Sequence, residues 1–523
     1  MLARVQSFLL TGIDASPCEV EVDLDERDVK TSSTVVGLPD IAVRESVERV
    51  KSALVNCGYR APGGRLVVNL APADVRKEGP VYDLAMAVGL LVAQGVVGRE
   101  SSGRSGAVSS SDPLDYRGLL FAGELALDGR LRPVRGVIAM TALAKQAGAR
   151  GVVVPAENGA EAAVVDGIDV HPVRTLAEVV GLLRGDLAAS PIAPVNVAEL
   201  IESSTAEIDF AEVRGQEAAK RALTIAAAGG HNLLMLGPPG TGKSMMAKAL
   251  PGILPRLTPG EALEVTRIYS AAGKLGANTE HSAGLVTKRP VRSPHHTAST
   301  PAIIGGGIIP KPGEISLAHH GVLFLDELAE FPRNVLDTMR QPLEDGGITI
   351  ARSHSAVRFP ARFMLVAAMN PTPKGTMPDT EWGRKEMERY LSRVSGPLID
   401  RVDIHIEVPA VPWKQLSGEA RGTSSSEMRE RVLAARERQR ARQGEKPNAA
   451  LSGKELDRLA VLDAAAQATL GQAMTELGLS ARAYDKVRRV ARTIADLEGA
   501  AGETLGTGHI AEAVGYRLLD RKS

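Results

Sequence analysis

The run Gly237-Pro238-Pro239-Gly240-Thr241-Gly242-Lys243-Ser244 sets a lysine and a hydroxyl directly behind closely spaced glycines. Glycines let backbone N–H groups turn toward a phosphate chain, and a following helix adds the positive end of its dipole. The stretch Asn232-Leu233-Leu234-Met235-Leu236 ahead reads as a strand, and Met245 to Leu250 behind as a helix. Strand, loop and helix N-terminus thus come in the order that a phosphate cradle requires. Lys243 is expected to reach the phosphates and Ser244 to hold a magnesium ion. Candidate nucleotide contacts are every residue from Gly237 to Ser244, together with Met245 at the start of the helix.

A second pair of residues turns binding into hydrolysis. Gly321-Val322-Leu323-Phe324-Leu325 has the composition of a buried parallel strand and ends in Asp326-Glu327. Asp326 is placed to orient magnesium, and Glu327 to polarise a water for attack on the γ-phosphate. Two carboxylates capping a strand need no catalytic role. Behind a phosphate loop they predict one.

These residues need a frame, and the chain is long enough to build it. Its 523 residues allow about three domains. To about residue 185, strand-like and helix-like stretches alternate. Val20–Leu24 and Arg65–Leu70 read as strands, with Val43, Val47, Val50 and Leu54 on one face of a helix ending at Gly58. Ser101–Ser111 is a Gly/Ser-rich loop, Gly151–Pro155 a late strand, and Ala188–Ala198 an exit linker. From Asp209 to about Pro409 the pattern fits a parallel sheet wound with helices. Beyond Pro412 it turns helical: Ser424 and Glu427 form a capping box for a helix through Arg440. Gly453–Leu477 and Ala481–Leu497 read as two further helices. We therefore divide the chain into domains 1–185, 209–410 and 411–523, with a linker at 186–208.

Composition sets limits. Lys plus Arg (62) balances Asp plus Glu (62), so a nucleic-acid surface must be a local patch. Cys18 and Cys57 are the only cysteines, too few for a disulfide framework or a cysteine-rich zinc module. With no apolar span of membrane length and no basic-then-apolar N-terminus, a cytoplasmic protein without membrane partners is expected.

Several long strings resemble one family, the ComM/YifB proteins, magnesium-chelatase-like AAA+ ATPases of bacteria, over essentially the whole chain. They are Arg289-Pro290-Val291-Arg292-Ser293-Pro294-His295-His296-Thr297, Pro312-Gly313-Glu314-Ile315-Ser316-Leu317-Ala318-His319, and Tyr390 through Arg401. The resemblance implies an α/β AAA+ P-loop core, an α+β Lon-protease-like first domain and an α-helical C-terminal lid, with ATP and Mg2+ as cofactors. It also implies roles. Asn370, after the strand Phe363–Met369, matches the sensor-1 position that orients the lytic water. Arg401 matches the arginine finger given to a neighbouring subunit, and Arg482 matches sensor 2, reaching from the lid. Val213 and Gly215 fall where related ATPases contact adenine. A finger acting in trans implies a homo-hexamer.

The first domain resembles the Lon fold through Val36-Gly37-Leu38-Pro39, Asn69–Asp74 and Lys77-Glu78-Gly79-Pro80. Where Lon has its serine this chain has Val81, and where Lon has its lysine it has Ile138. Lacking nucleophile and base, it is not expected to be a protease. Many relatives carry cysteines after the sensor-1 asparagine; here the run is Asn370-Pro371-Thr372-Pro373-Lys374-Gly375, so a metal site there is unsupported. We read the pairs His295-His296 and His319-His320 as structural or loop histidines.

DNA, branched or at junctions, is the polymer that the resemblance implies, with other recombination proteins as further partners. Residues 346–359 alternate like two short strands around a polar tip, and in related motors a hairpin at this place touches DNA backbone. Arg352, Ser353, His354 and Arg358 are suitable phosphate contacts. Lys288, Arg289 and Arg292 form a second basic cluster. Aromatic content of 3% speaks against base stacking as the main grip. The basic run Arg429–Arg442, interleaved with Glu430 and Glu437, reads as a salt-bridged helix. The expected function is an ATP-driven branch-migration helicase in recombination and natural transformation; the alternative is a chelatase-like ATPase remodelling a protein partner.

Overall fold

The computed structural model describes residues 1–28, 31–98, 112–205, 207–275, 284–307, 310–352, 355–372, 387, 389–390, 392–412, 422–500, 502–517 and 519. The expected loop at 101–111 lies outside them. The chain divides into two units, Met1–Leu200 with Pro259–Thr287, and Ile201–Thr258 with Lys288–Ser523.

In the first unit, alternation of apolar and polar residues makes a half-buried sheet. Val20, Val22 and Leu24 are buried on Asp14–Asp25 while the residues between face outward. That strand pairs antiparallel with Leu2–Thr11 on one side and Arg65–Ala71 on the other. The seven-stranded sheet runs Ser32–Val36, Arg65–Ala71, Asp14–Asp25, Leu2–Thr11, Leu119–Phe121, Gly151–Pro155, Asp169–Val173. Gly37 follows the edge strand at φ 97°, and a Cβ there would sit 2.2 Å from the Leu70 carbonyl oxygen, so glycine is required. Helix Ile41–Asn56 buries Val43, Val47, Val50 and Leu54, as their spacing predicts. Asp40 caps it, accepting from Val43 N at 2.7 Å.

Two segments behave unlike their sequence suggests. Residues 188–196 carry no helix or strand, yet they are fastened to the first unit by Ile192 N donating to Val170 O (3.0 Å) and Val195 N to Ala163 O (3.1 Å). Pro259–Thr287, inside the 209–410 stretch, belongs with the first unit. Its helix Pro259–Ala271 carries Ser270, whose hydroxyl donates to the buried Glu161 carboxylate and accepts from Gly136 N at 2.9 Å. Glu161 also accepts from Ile138 N (2.9 Å) and Asn158 Nδ2 (3.1 Å), which satisfies a carboxyl that burial pushes upward in pKa.

The second unit is built on a five-stranded sheet in the order Val291–Arg292, Val322–Leu325, Met364–Met369, Leu233–Leu236, Ile404–Glu407. Every pairing in it is parallel. The three middle strands are buried at every residue, as expected of a parallel sheet covered on both faces. The hairpin Gly347–Arg352 with Ser355–Pro360 forms in the expected place. Helix Ser425–Gln443 has the predicted capping box at Ser424 and Glu427, and Ala481–Glu498 is capped by Ser480.

One expectation is corrected. Gly453–Leu477 is not a single helix but Gly453–Leu459, a short strand Val461–Leu462 and a helix Ala464–Glu476. The β-branched Val461 and its neighbour pair with Thr504–Leu505, and Asp463 restarts the helix by accepting from Ala466 N at 2.6 Å.

Candidate active site

The ends of three adjacent strands gather the reactive groups. The loop after Leu233–Leu236 turns through Gly240 (φ 80°) and Gly242 (φ 89°), conformations that a Cβ would strain, and leads into helix Lys243–Ala249. A Cβ built on either glycine meets nothing within 4 Å. Lys243 is folded inside the loop: Nζ donates to Gly237 O (2.5 Å), Pro238 O (2.7 Å) and Asn370 Oδ1 (3.3 Å). Burial lowers its pKa, opposed by the charge of Asp326.

Ser244 Oγ donates to Asp326 Oδ2 at 2.6 Å. A hydroxyl and a carboxylate on one spot, beside a lysine and open glycine backbone, make an oxygen-donor set suited to magnesium with a polyphosphate. Asp326 Oδ1 also accepts from Glu327 N at 3.0 Å. Glu327 leaves the strand at φ 52°, a left-handed conformation that costs a non-glycine residue about 1–3 kcal/mol. Its side chain is half exposed.

A contact that the sequence did not reveal holds that side chain. His296 Nδ1 lies 3.1 Å from Glu327 Oε2. The ring is flanked by His295 at 4.1 Å and, edge-on, by Phe331 at 6.4 Å between centroids. His295-His296 reads as a loop pair because its partner is 31 residues away in the chain, but strand Val291–Arg292 pairs with Val322–Leu323 and brings the two turns together. Gln216 is a second residue missed. At φ 59° it precedes helix Glu217–Gly229, and Nε2 donates to Pro409 O (2.7 Å) and Thr241 O (3.4 Å). It thereby ties the Val213–Gly215 segment, where Val213 is buried and Gly215 has φ 64°, to the phosphate loop.

The two arginines assigned from resemblance are engaged elsewhere. Arg482 Nη1 lies 3.6 Å from Asp400 Oδ2, and the side chain is 68% exposed. Arg401 pairs with Glu344 and donates to Pro397 O at 2.6 Å.

With this geometry in place, three family models match successive parts of the chain. Subunit ChlI of Mg-chelatase covers residues 20–158, magnesium chelatase subunit ChlI residues 209–416, and its C-terminal model residues 422–517. Competence protein ComM of Haemophilus influenzae is 45% identical over 528 residues, covering 99% of this chain and 98% of that protein. The chain belongs to the ComM/YifB family of magnesium-chelatase-like AAA+ ATPases. The YifB protein of Salmonella typhimurium is 43% identical over 523 residues, 99% of this chain and 98% of that one. Similarity to the magnesium-chelatase 38 kDa subunit of Rhodobacter capsulatus is narrower, 28% over 180 residues, 31% of this chain and 50% of that subunit.

In this ComM/YifB protein the candidate DNA contacts fall into distinct settings. Arg358 is exposed on the hairpin, opposite Thr349, in an open groove of about 360 Å³ lined also by Gln341, Asp345 and Gly347. Ser353, His354 and the side chain of Arg352 lie outside the described residues. Lys288 is 3.8 Å from Glu207. Arg292 grips Glu314 with two hydrogen bonds of 2.5 and 2.8 Å, and Arg289 donates to Pro255 O, His320 O and Arg256 O. Both arginines therefore fasten loops within their own chain. His319 does likewise, Nδ1 accepting from Arg362 N at 3.0 Å. In the first unit Ile138 is buried, and its N–H donates to Glu161.

Proposed function

We propose that this chain hydrolyses ATP in a homo-hexameric ring, in the cytoplasm, and uses the energy to move DNA branches during homologous recombination, including natural transformation. The observation that supports hydrolysis is the convergence of Lys243, Ser244, Asp326 and Asn370 at the ends of three adjacent strands, with Glu327 beside them. Lys243, Ser244 and the loop N–H groups would hold the nucleotide's phosphates, and Ser244 with Asp326 would hold magnesium, which supplies charge neutralisation. Glu327 takes a proton from the attacking water, and Asn370, tethered by Lys243, orients that water. Arg401 from a neighbouring subunit and Arg482 from the same chain stabilise the developing negative charge. The DNA role draws its support from similarity to competence protein ComM along nearly the whole chain and from the exposed Arg358 hairpin.

A second reading, a chelatase-type ATPase acting on a protein partner, draws on the names of the three matching family models. ATP turnover with and without four-way-junction DNA separates the two, with Lys243→Ala and Glu327→Gln as controls. Stimulation that both controls abolish supports the motor. Absence of stimulation together with absence of DNA binding at moderate salt overturns it.

A further inference from the structure

Five consecutive residues after the short helix Gly396–Ile399 hold together parts of the second unit that are far apart in sequence. Asp400 meets Arg482, the second residue of helix Ala481–Glu498. Arg401 pairs with Glu344 on helix Arg340–Asp345, and its carbonyl accepts from Asn232 Nδ2 at 3.1 Å. Val402 O accepts from Lys486 Nζ (3.0 Å) and Arg517 Nη1 (2.7 Å). Asp403 lies 3.4 Å from Lys486 Nζ and accepts from Asn232 N at 3.2 Å. Ile404 then begins the edge strand of the sheet.

The pairs differ in kind. Asp403 and Lys486 are about nine-tenths buried, so the backbone at 402–403 is pinned to the lid helix. Asp400 and Glu344 are 39% and 58% exposed, and of their partners Arg482 is 68% exposed but Arg401 only 16%, so the two pairs reach from the buried base toward solvent. Glu344 is also three residues from Gly347, where the hairpin bearing Arg358 begins. A pinned base thus carries two adjacent contacts, one toward the lid arginine and one toward the root of the hairpin.

We propose that Asp400 and Glu344 are positioning residues for hydrolysis. Asp400 holds Arg482 beside Arg401, and Glu344 holds Arg401 against the hairpin's root. Held in this way, Arg482 keeps its place toward the nucleotide of its own subunit and Arg401 its place toward the next, so loss of either carboxylate charge slows hydrolysis. This inference rests on the ring-ATPase reading above.

The test uses the full-length protein and measures ATP turnover against ATP concentration with four-way-junction DNA present. Asp400→Asn and Glu344→Gln keep size and shape but remove the charge. Each is expected to lower kcat about tenfold with KM unchanged. Asp400→Glu and Glu344→Asp, which retain the charge, are expected to recover most of the loss. Parental kcat in both amide variants overturns the proposal. So does a loss shared by the carboxylate-retaining variants, or one accompanied by a lower melting temperature, because that is a structural effect. Arg401→Ala and Arg482→Ala are measured in parallel: if these two retain parental kcat, the ring-ATPase assignment of both arginines fails instead.

Discussion

Ser244 Oγ and Asp326 Oδ2 are 2.6 Å apart although the strands behind them are not neighbours. Strand Met364–Met369 runs between Leu233–Leu236 and Val322–Leu325, and its end delivers Asn370 to Lys243. The strand order therefore interleaves the three motifs, so that the groups proposed to bind phosphate, hold magnesium and orient water meet at one edge. This is the arrangement expected where ligands bind outside the carboxyl ends of parallel strands.

Binding and chemistry should separate at this edge. Glu327 meets His296 through its carboxylate and Asp326 through its N–H, whereas Lys243 Nζ is bonded to the loop's own carbonyls. Glu327→Gln is expected to keep nucleotide affinity and lose about 10²–10⁴-fold in turnover, the usual worth of a general base. Lys243→Ala is expected to lose both. Fluorescent-nucleotide titration beside steady-state turnover checks this, and a Glu327→Gln protein turning over at the parental rate would remove Glu327 from the base role.

The loop's conformation makes its own prediction. Gly242 has φ 89° and open space where a Cβ would go, so Gly242→Ala meets backbone strain without a clash. That strain is about 1–2 kcal/mol, and it falls on the N–H groups proposed to face phosphate. The expected result is about a tenfold rise in KM for ATP, at 1.4 kcal/mol per factor of ten, with little change in melting temperature. An unchanged KM would mean that the loop's N–H groups do not meet phosphate.

Acid should weaken the second unit through Asp403. Burial alone would raise its carboxyl pKa, but Lys486 beside it, His231 3.5 Å away and the hydrogen bond from Asn232 N hold it well below the ordinary carboxylate range. A folded pKa below the unfolded value of about 4 means that the stabilisation is present above that pH and fades as pH falls toward the folded pKa. Asp403→Asn leaves Lys486 buried without its counter-charge, a change that costs about 3–5 kcal/mol in such pairs. Melting temperatures between pH 2 and 7 should show the variant lower at neutral pH and less steeply dependent on acid below about pH 4. Parallel profiles would count against this role.

What the sequence made legible was local. The phosphate loop, the acidic pair after Leu325, the strand before Asn370 and the two-stranded alternation at 347–360 each follow from neighbouring residues, and each forms where expected. What stayed hidden depends on contacts between distant residues. Ser270 and Glu161 are 109 positions apart, and their hydrogen bond helps place Pro259–Thr287 with the first unit. Arg289 and Arg292 look like free cations in a basic string, yet backbone carbonyls and Glu314 engage them. Val461–Leu462 interrupts an apparently continuous helix only because Thr504–Leu505 returns to pair with it. Periodicity carries no information about such partners.

Those engaged arginines shift the expected DNA grip toward the hairpin. Arg358 is exposed on the strand Ser355–Pro360, with Thr349 in register opposite and Asp345 across the groove. Arg289 and Arg292, held by their own chain, should contribute to loop order more than to DNA affinity. A lost phosphate contact weakens binding alike for every sequence and lowers the slope of log affinity against log salt by about one. Arg358→Ala is therefore expected to show both effects on a four-way junction and to reduce DNA-stimulated ATP turnover, while turnover without DNA stays at the parental level. Arg292→Ala removes both of its hydrogen bonds to Glu314 and should lower the melting temperature while leaving the salt slope unchanged. If the slope instead falls with Arg292→Ala and holds with Arg358→Ala, the DNA path runs along the 288–297 string and not along the hairpin.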